Sequence, residues 1–357
     1  MKTAQRIATL QDLCRLIDPS CETGISDLAK EGMETVITLA DSMLVLPMLR
    51  SGLQRRGAAG LLCVDQHEML ETIWQLNAQR NRDLIREARE VAQILAQIDI
   101  RAVFLKGMAQ ILAGSHDAGG RMVNDLDILV PENRLREALD HLQRCGFSPG
   151  PGKPFVDAAR LRPFAHHAPP LRRHENAPWV EIHRAFFADP DFLLPAHEII
   201  ASARPVSQKD WTAWIPAPEH QMGMAIAHAS LRGLERFGAG ISLRDMADCL
   251  ALRDQVDLPA LERRFHAHGV LGELRWFSAL LGRLCGSGAE LVPTSWHRRM
   301  QARLILRGWA HAGWRRALAP GKPLHVPLRF ASSPIFRRHV LRLVQDAAYR
   351  RTWRQAQ

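Results

Sequence analysis

The chain has 357 residues, 46% hydrophobic and 24% charged, with a formal net charge of +10, which is ordinary for a soluble globular protein and long enough for two or three domains with their own cores. No apolar run approaches the ~20 residues that a bilayer span requires, and the opening MKTAQRIATLQDLC lacks the apolar core of a secretory signal, so a cytoplasmic chain without a membrane span is expected. The six cysteines (Cys14, Cys21, Cys63, Cys145, Cys249, Cys285) contain no C-x-x-C pair, which argues against a disulfide framework and a cysteine zinc site.

The first 95 or so residues read as helices. SDLAKEGMETVITLADSMLVLPML predicts a helix with Ser26 and Asp27 as caps and Pro47 near its end. Residues 65–98 predict a longer helix, with Leu70, Ile73, Leu84, Val91 and Leu95 on its apolar face and a break near Asn81.

The period then changes. IRAVFLKG, residues 100–107, predicts a short strand, and MAQILAGSH a helix that starts at Gly107. DLDILVP predicts a second strand stopped by Pro131, and ENRLREALDHLQRCGF an amphipathic helix closed by Gly146. Strand, helix, strand, helix is the core of a small α/β or α+β domain. A loop rich in Pro, Arg and His follows, leading into a hairpin with RHENAP as its turn and WVEIHRAFF as its returning strand. From about residue 216 the pattern is helical again, clearest in PEHQMGMAIAHASLRGL and SLRDMADCLALRDQ.

The last segment is basic. Residues 292–357 hold 14 of the 47 Lys and Arg but only Asp346 among the 37 acids, so they carry +13 and the remainder of the chain −3. WHRRMQARLILRGWAHAGWRRAL mixes Trp with Arg in an amphipathic way that suits solvated helix faces, a membrane surface or a partner peptide. No nucleic-acid motif accompanies it, which places nucleic acid behind the other partners.

The chemistry concentrates in RMVNDLDILV. On a strand, residues i and i+2 share a side, so Asp125 and Asp127 project together, ~7 Å apart at Cα. Converging carboxylates make a site for a hard divalent cation such as Mg²⁺, which offsets their repulsion. In WVEIH, Glu181 and His183 share a face, and Glu181 completes a three-carboxylate cluster if the two strands are neighbours; alternatively it pairs with Arg184. Lys106-Gly107, between a strand and a helix, suits a phosphate, although Lys106 can equally pair with an aspartate.

VFLKGMAQIL, GGRMVNDLDILVPENRLREALDHLQRCGF and WVEIHRAFF together resemble the uncharacterised nucleotidyltransferase family of the polymerase-β-like superfamily, over roughly residues 65–255. The resemblance implies an α+β fold, a small mixed nucleotidyltransferase sheet with flanking helices. Beside it are expected an N-terminal helical region (1–98), the core (99–215) and a C-terminal helical region with the basic tail (216–357). It implies transfer of a nucleoside monophosphate from an NTP, ATP favoured, with two Mg²⁺ ions and release of pyrophosphate. Asp125, Asp127 and Glu181 would be metal-binding and catalytic, with Glu181 also taking the acceptor's proton. Lys106, Gly107, Arg121 and Asp248 would contact the nucleotide. Gly114-Ser115 also fits the superfamily's Gly-Ser…Asp-x-Asp spacing, but it falls at the end of a helix, so Gly107 is the expected turn.

Outside the cluster, His220 and His228 read as ordinary helix residues, and Asp245 and Asp248 can cap or pair. His166, His167 and His174 lack the spacing of a zinc site. The acceptor expected is a hydroxyl or phosphate of a small molecule, peptide or protein; family members are often encoded beside peptide natural-product or polysaccharide pathways, which is compatible with tailoring of an acidic or phosphorylated peptide. The competing expectations are a non-catalytic, antitoxin-like nucleotide- or partner-binding protein on the same fold, and a transferase acting on nucleic-acid ends.

Overall fold

The computed structural model describes residues 3–20, 32–149, 165–187, 189–231 and 242–310, together with Gln345. It is a mixed α+β protein, as the change of period along the chain leads one to expect. The described residues fall into two compact units: one holds residues 3–77, 119–121 and 225–310 with Gln345, the other residues 78–118 and 122–224.

The first unit is helical. It contains α1 (Thr3–Ile17), α2 (Met33–Ser42), α3 (Leu46–Arg55) and the start of α4 (Val64–Ala96). Late in the chain it adds α9 (Leu243–Leu252), α10 (Leu258–Ala267), α11 (Leu271–Cys285) and α12 (Trp296–Ala310). Leu10, Leu13, Met33, Leu49, Phe265 and Phe277 are fully buried. The helix expected to end near Pro47 is in fact two, because Leu44 has φ +57° and Pro47 sits in the first turn of α3, where its missing N–H costs nothing. Ser26 and Asp27 lie outside the described residues, as does the basic tail beyond Ala310 except Gln345.

The second unit is built on a seven-stranded mixed sheet. Its strands are β1 (Val103–Phe104), β2 (Asp125–Leu129), β3 (Ser148–Pro149), β4 (Leu171–Arg172), β5 (Trp179–His183), β6 (Arg204–Ser207) and β7 (Thr212–Ile215). The order across the sheet is β3-β4-β5-β2-β1-β7-β6. Leu84, Ala88, Val91 and Leu95 of α4 share a core with Leu126 and Ile128 of β2 and Val180 and Ile182 of β5. Met108 and Ala109 of α5 (Lys106–Leu112) and Leu135 and Leu139 of α6 (Leu135–Arg144) complete that layer. Gly146, at φ +89°, follows α6 as expected. Two further helices belong to the chain here, α7 (Ala196–Ala201) and α8 (Pro218–Ser230).

Three local expectations change. Helix α4 runs unbroken through Asn81, whose buried side chain donates from Nδ2 to Ala118 O at 2.9 Å and so does not disturb the helix backbone. The strand expected over 100–107 is only Val103–Phe104, and Lys106 already opens α5. The hairpin β6–β7 was not expected; β6 lies at the sheet edge, where the missing N–H of Pro205 is tolerated.

Candidate active site

Leu126, Ile128, Val180 and Ile182 all point into the core, so the residues alternating with them lie on the opposite face of the sheet. That face carries Asp125 and Asp127 from β2 and Trp179, Glu181 and His183 from β5. The two strands are parallel neighbours, with Asp125 level with Trp179, Asp127 with Glu181 and Leu129 with His183. A slip of one residue would set Val180 or Ile182 beside Asp127, so the core packing of the aliphatic residues also specifies the register of the acids.

Asp127 is the buried centre, 3% exposed. Its Oδ1 accepts from Lys106 Nζ at 2.6 Å and from His183 Nε2 at 2.8 Å. His183 Nε2 also lies 3.6 Å from Glu181 Oε2, and its buried Nδ1 has no hydrogen-bond partner among the described residues. One ligand atom from each of Asp127, Glu181 and His183 fall within 4.8 Å of one another. His167 stands beside them, with Nδ1 2.7 Å from Ala168 O and 3.9 Å from Glu181 Oε2, and its ring 5.1 Å from that of His183. The alternation in WVEIH puts His183 on the face of Glu181, whereas no local signal marks His167.

Lys106 reaches Asp127 from the turn between β1 and α5. It does so in the left-handed region, φ +51°, which is strained for a residue with a Cβ. Leu105 N–H donates to Asp127 O at 2.9 Å, anchoring that turn to β2 immediately before the strained residue.

The charges are unevenly compensated. Burial alone would push Asp127 up, but the hydrogen bond from His183 and the charge of Lys106 outweigh it and hold the carboxyl well below the usual range. Glu181 is lowered, chiefly by the nearby His183 imidazole, against the opposing effect of burial. His183 is raised: burial disfavours its cation, but the hydrogen bond to Asp127 and the nearby Glu181 carboxylate prevail. Asp125 goes the other way, pushed up by burial and then by the charges of Asp127 and Glu181. It is a half-buried carboxylate facing two others.

A divalent cation fits this donor set. Hard carboxylate oxygens converge from two strands, and a cation would offset the repulsion that Asp127 and Glu181 exert on Asp125.

Asp125, Asp127, Glu181 and Lys106 therefore come together in the sheet unit, with Gly107 buried in the first turn of α5. Gly114 has φ +68° and donates to Ile111 O, while Ser115 N–H donates to Gln110 O; the two end α5 as a glycine-terminated helix does. Arg121 and Asp248 belong to the helical unit, where they bind each other. Arg121 Nε and Nη2 reach the two Asp248 oxygens at 3.0 and 2.7 Å. Close to them in the same unit, Asp245 accepts from His228 Nδ1 at 2.6 Å. Arg184, the alternative partner for Glu181, instead pairs with Glu132.

No curated protein matches the chain significantly. A family model does, over residues 29–286, well over half of the length, and its description agrees with an acidic cluster on adjacent strands of a mixed sheet. The chain belongs to the family of uncharacterised nucleotidyltransferases and is a nucleotidyltransferase by that membership.

Proposed function

We propose that the protein transfers a nucleoside monophosphate, AMP in the first instance, from an NTP to a hydroxyl or phosphate of a small molecule, peptide or protein, with Mg²⁺ as cofactor. The observation that carries this reading is the single sheet face that holds Asp125, Asp127 and Glu181, with Asp127 level with Glu181 on the neighbouring parallel strand.

Asp125 and Asp127 are the residues to hold Mg²⁺, with Glu181 completing the set. Bound Mg²⁺, two ions in the reading the family suggests, would neutralise the triphosphate and favour attack at the α-phosphorus. The acceptor oxygen forms the new P–O bond as the bond from the α-phosphorus to the bridging oxygen breaks, and pyrophosphate leaves. Glu181, lowered and therefore ionised at neutral pH, can take the acceptor's proton. His183 fixes Asp127 through its Nε2 hydrogen bond and lies near Glu181. Lys106 supplies a cation on the β1 side of the aspartates, suited to the donor's phosphates. Arg121 and Asp248 enter the reading as nucleotide contacts on the family resemblance alone.

Calorimetry with each of the four NTPs in the presence of Mg²⁺ tests it. Binding is expected for ATP above the others and should be lost in Asp127→Asn; no binding, or binding indifferent to that change, sinks the proposal. Mass spectrometry after incubation with labelled NTP and host extract then identifies the acceptor by a gain of one NMP. Binding without any such transfer would instead favour a non-catalytic relative.

A further inference from the structure

The face that carries the acids also carries an aromatic ring and a cation with no place in the account above. Trp179 is level with Asp125 on the adjacent strand, ~4.8 Å away in backbone spacing, and is half-buried. Arg172 of β4 lies on the same face, because its neighbour Leu171 packs into the core opposite Val180. The Arg172 guanidinium stacks on the Trp179 ring, 4.4 Å from its centroid. One of its nitrogens, Nη1, donates to Glu175 O at 2.6 Å. Among the described residues no carboxylate pairs with it, in contrast to Arg173, which binds Glu87 and Glu90.

We infer that Trp179 and Arg172 form a binding platform for the acceptor, and that the acceptor is a ring-bearing anion, an aromatic or sugar ring with a carboxylate or phosphate. The ring rests against the indole while the anion meets the unused edge of the guanidinium. The assignment to the acceptor rather than the donor rests on the nucleotidyl-transfer reading and on the strand order. Lys106 stands on the β1 side of β2 and suits the donor's phosphates; Trp179 stands on the opposite side, on β5 with Glu181, and Arg172 one strand further out on β4. A group held there approaches the acids from the flank that carries Glu181. A second stacked pair, Arg101 on Trp214 at 3.9 Å, shares the face but sits two strands from β2 and level with Leu129, at the end away from Asp125. It serves as an internal control.

The test uses the full chain labelled with 5-fluorotryptophan, the Trp179 resonance being assigned by its loss in Trp179→Phe. Phenyl phosphate and benzoate are expected to shift that resonance saturably, inorganic phosphate and methyl glucoside far less. The two anionic probes separate a phosphate from a carboxylate preference. Arg172→Gln should weaken the anionic probes about tenfold, the scale of one lost charge-assisted hydrogen bond, while Arg101→Gln leaves them unchanged. Arg172→Lys, which keeps the charge without the planar fork, should fall between, and an unchanged thermal midpoint separates lost binding from lost fold. A Trp179 resonance unmoved by either probe, or equal affinity in wild type and Arg172→Gln, overturns the inference. So does a shift caused by MgATP and by neither probe, which would assign the platform to the donor's base. Titrating MgATP into the same sample keeps the two readings apart: nucleotide binding with no probe response rejects the platform alone, and probe binding with no response to any NTP rejects nucleotidyl transfer alone.

Discussion

The Arg121–Asp248 pair allows the most quantitative test of how the helical unit is held together. Arg121 is 5% exposed and Asp248 3%, and two parallel hydrogen bonds join them. Removing Asp248 takes two hydrogen bonds and the larger counter-charge from a buried guanidinium that still feels the charge of Asp245. Breaking one side of a buried pair costs about 3–5 kcal/mol. Asp248→Asn keeps an oxygen that accepts one N–H, and because Asp245 still offsets part of the charge it should fall near the lower figure; Asp248→Leu should approach the upper. At roughly 2–4 °C per kcal/mol for a body of this size, the midpoint of a thermal scan drops by about 6–20 °C. Arg121→Met combined with Asp248→Leu removes both charges and should return to within about 1 kcal/mol of wild type, because apolar residues of similar volume replace such pairs at little cost. Urea titrations of the four proteins supply the free energies. Single variants within about 1 kcal/mol of wild type, or a double variant no better than Asp248→Leu, would refute the reasoning. MgATP affinity of the folded variants answers the separate question of whether the two residues contact nucleotide.

Other consequences are simpler to check. Glu181→Gln should fold normally yet weaken Mg²⁺ binding in calorimetry, and an unchanged titration would remove Glu181 from the metal set. Gly52→Ala should destabilise by at least about 1–3 kcal/mol, since its Cβ would fall 1.8 Å from Leu16 O and helices α1 and α3 would have to part; an unchanged urea midpoint contradicts this. Asp245 is lowered in the folded protein: burial raises it, but the charge of His228 and hydrogen bonds from His228 and Ser242 prevail. Its contribution to stability is therefore present above the unfolded value of ~3.9 and is lost as pH falls through the folded one. The stability gap between wild type and Asp245→Asn should be full near pH ~5 and shrink below ~3.9, and a gap that stays constant into acid would show the carboxylate is not stabilising.

The alternation in NDLDILV and in WVEIH was enough to place each acid on the correct face of its strand, because period-two burial is a local property of the sequence. That the two strands are parallel neighbours, with Asp127 level with Glu181, depends on strand order and register, and the intervening residues carry no such signal. The same limit hides the partnership of Arg121 with Asp248, which are 127 positions apart. The edge strand around Pro205 is not legible either, since the sequence does not say which strand is an edge. Asn81 looked like a helix breaker because its partner, the carbonyl of Ala118, is reached only through the fold.

The left-handed backbone of Lys106 sets function against robustness at one position. A residue with a Cβ in that region costs about 1–2 kcal/mol relative to glycine. Lys106→Gly would relieve that cost while removing the ammonium that faces Asp127. Melting temperature therefore registers two opposed changes at this site, a relaxed backbone and a buried carboxylate with one partner fewer. A variant that melts near wild type can still have lost a charge beside its acids.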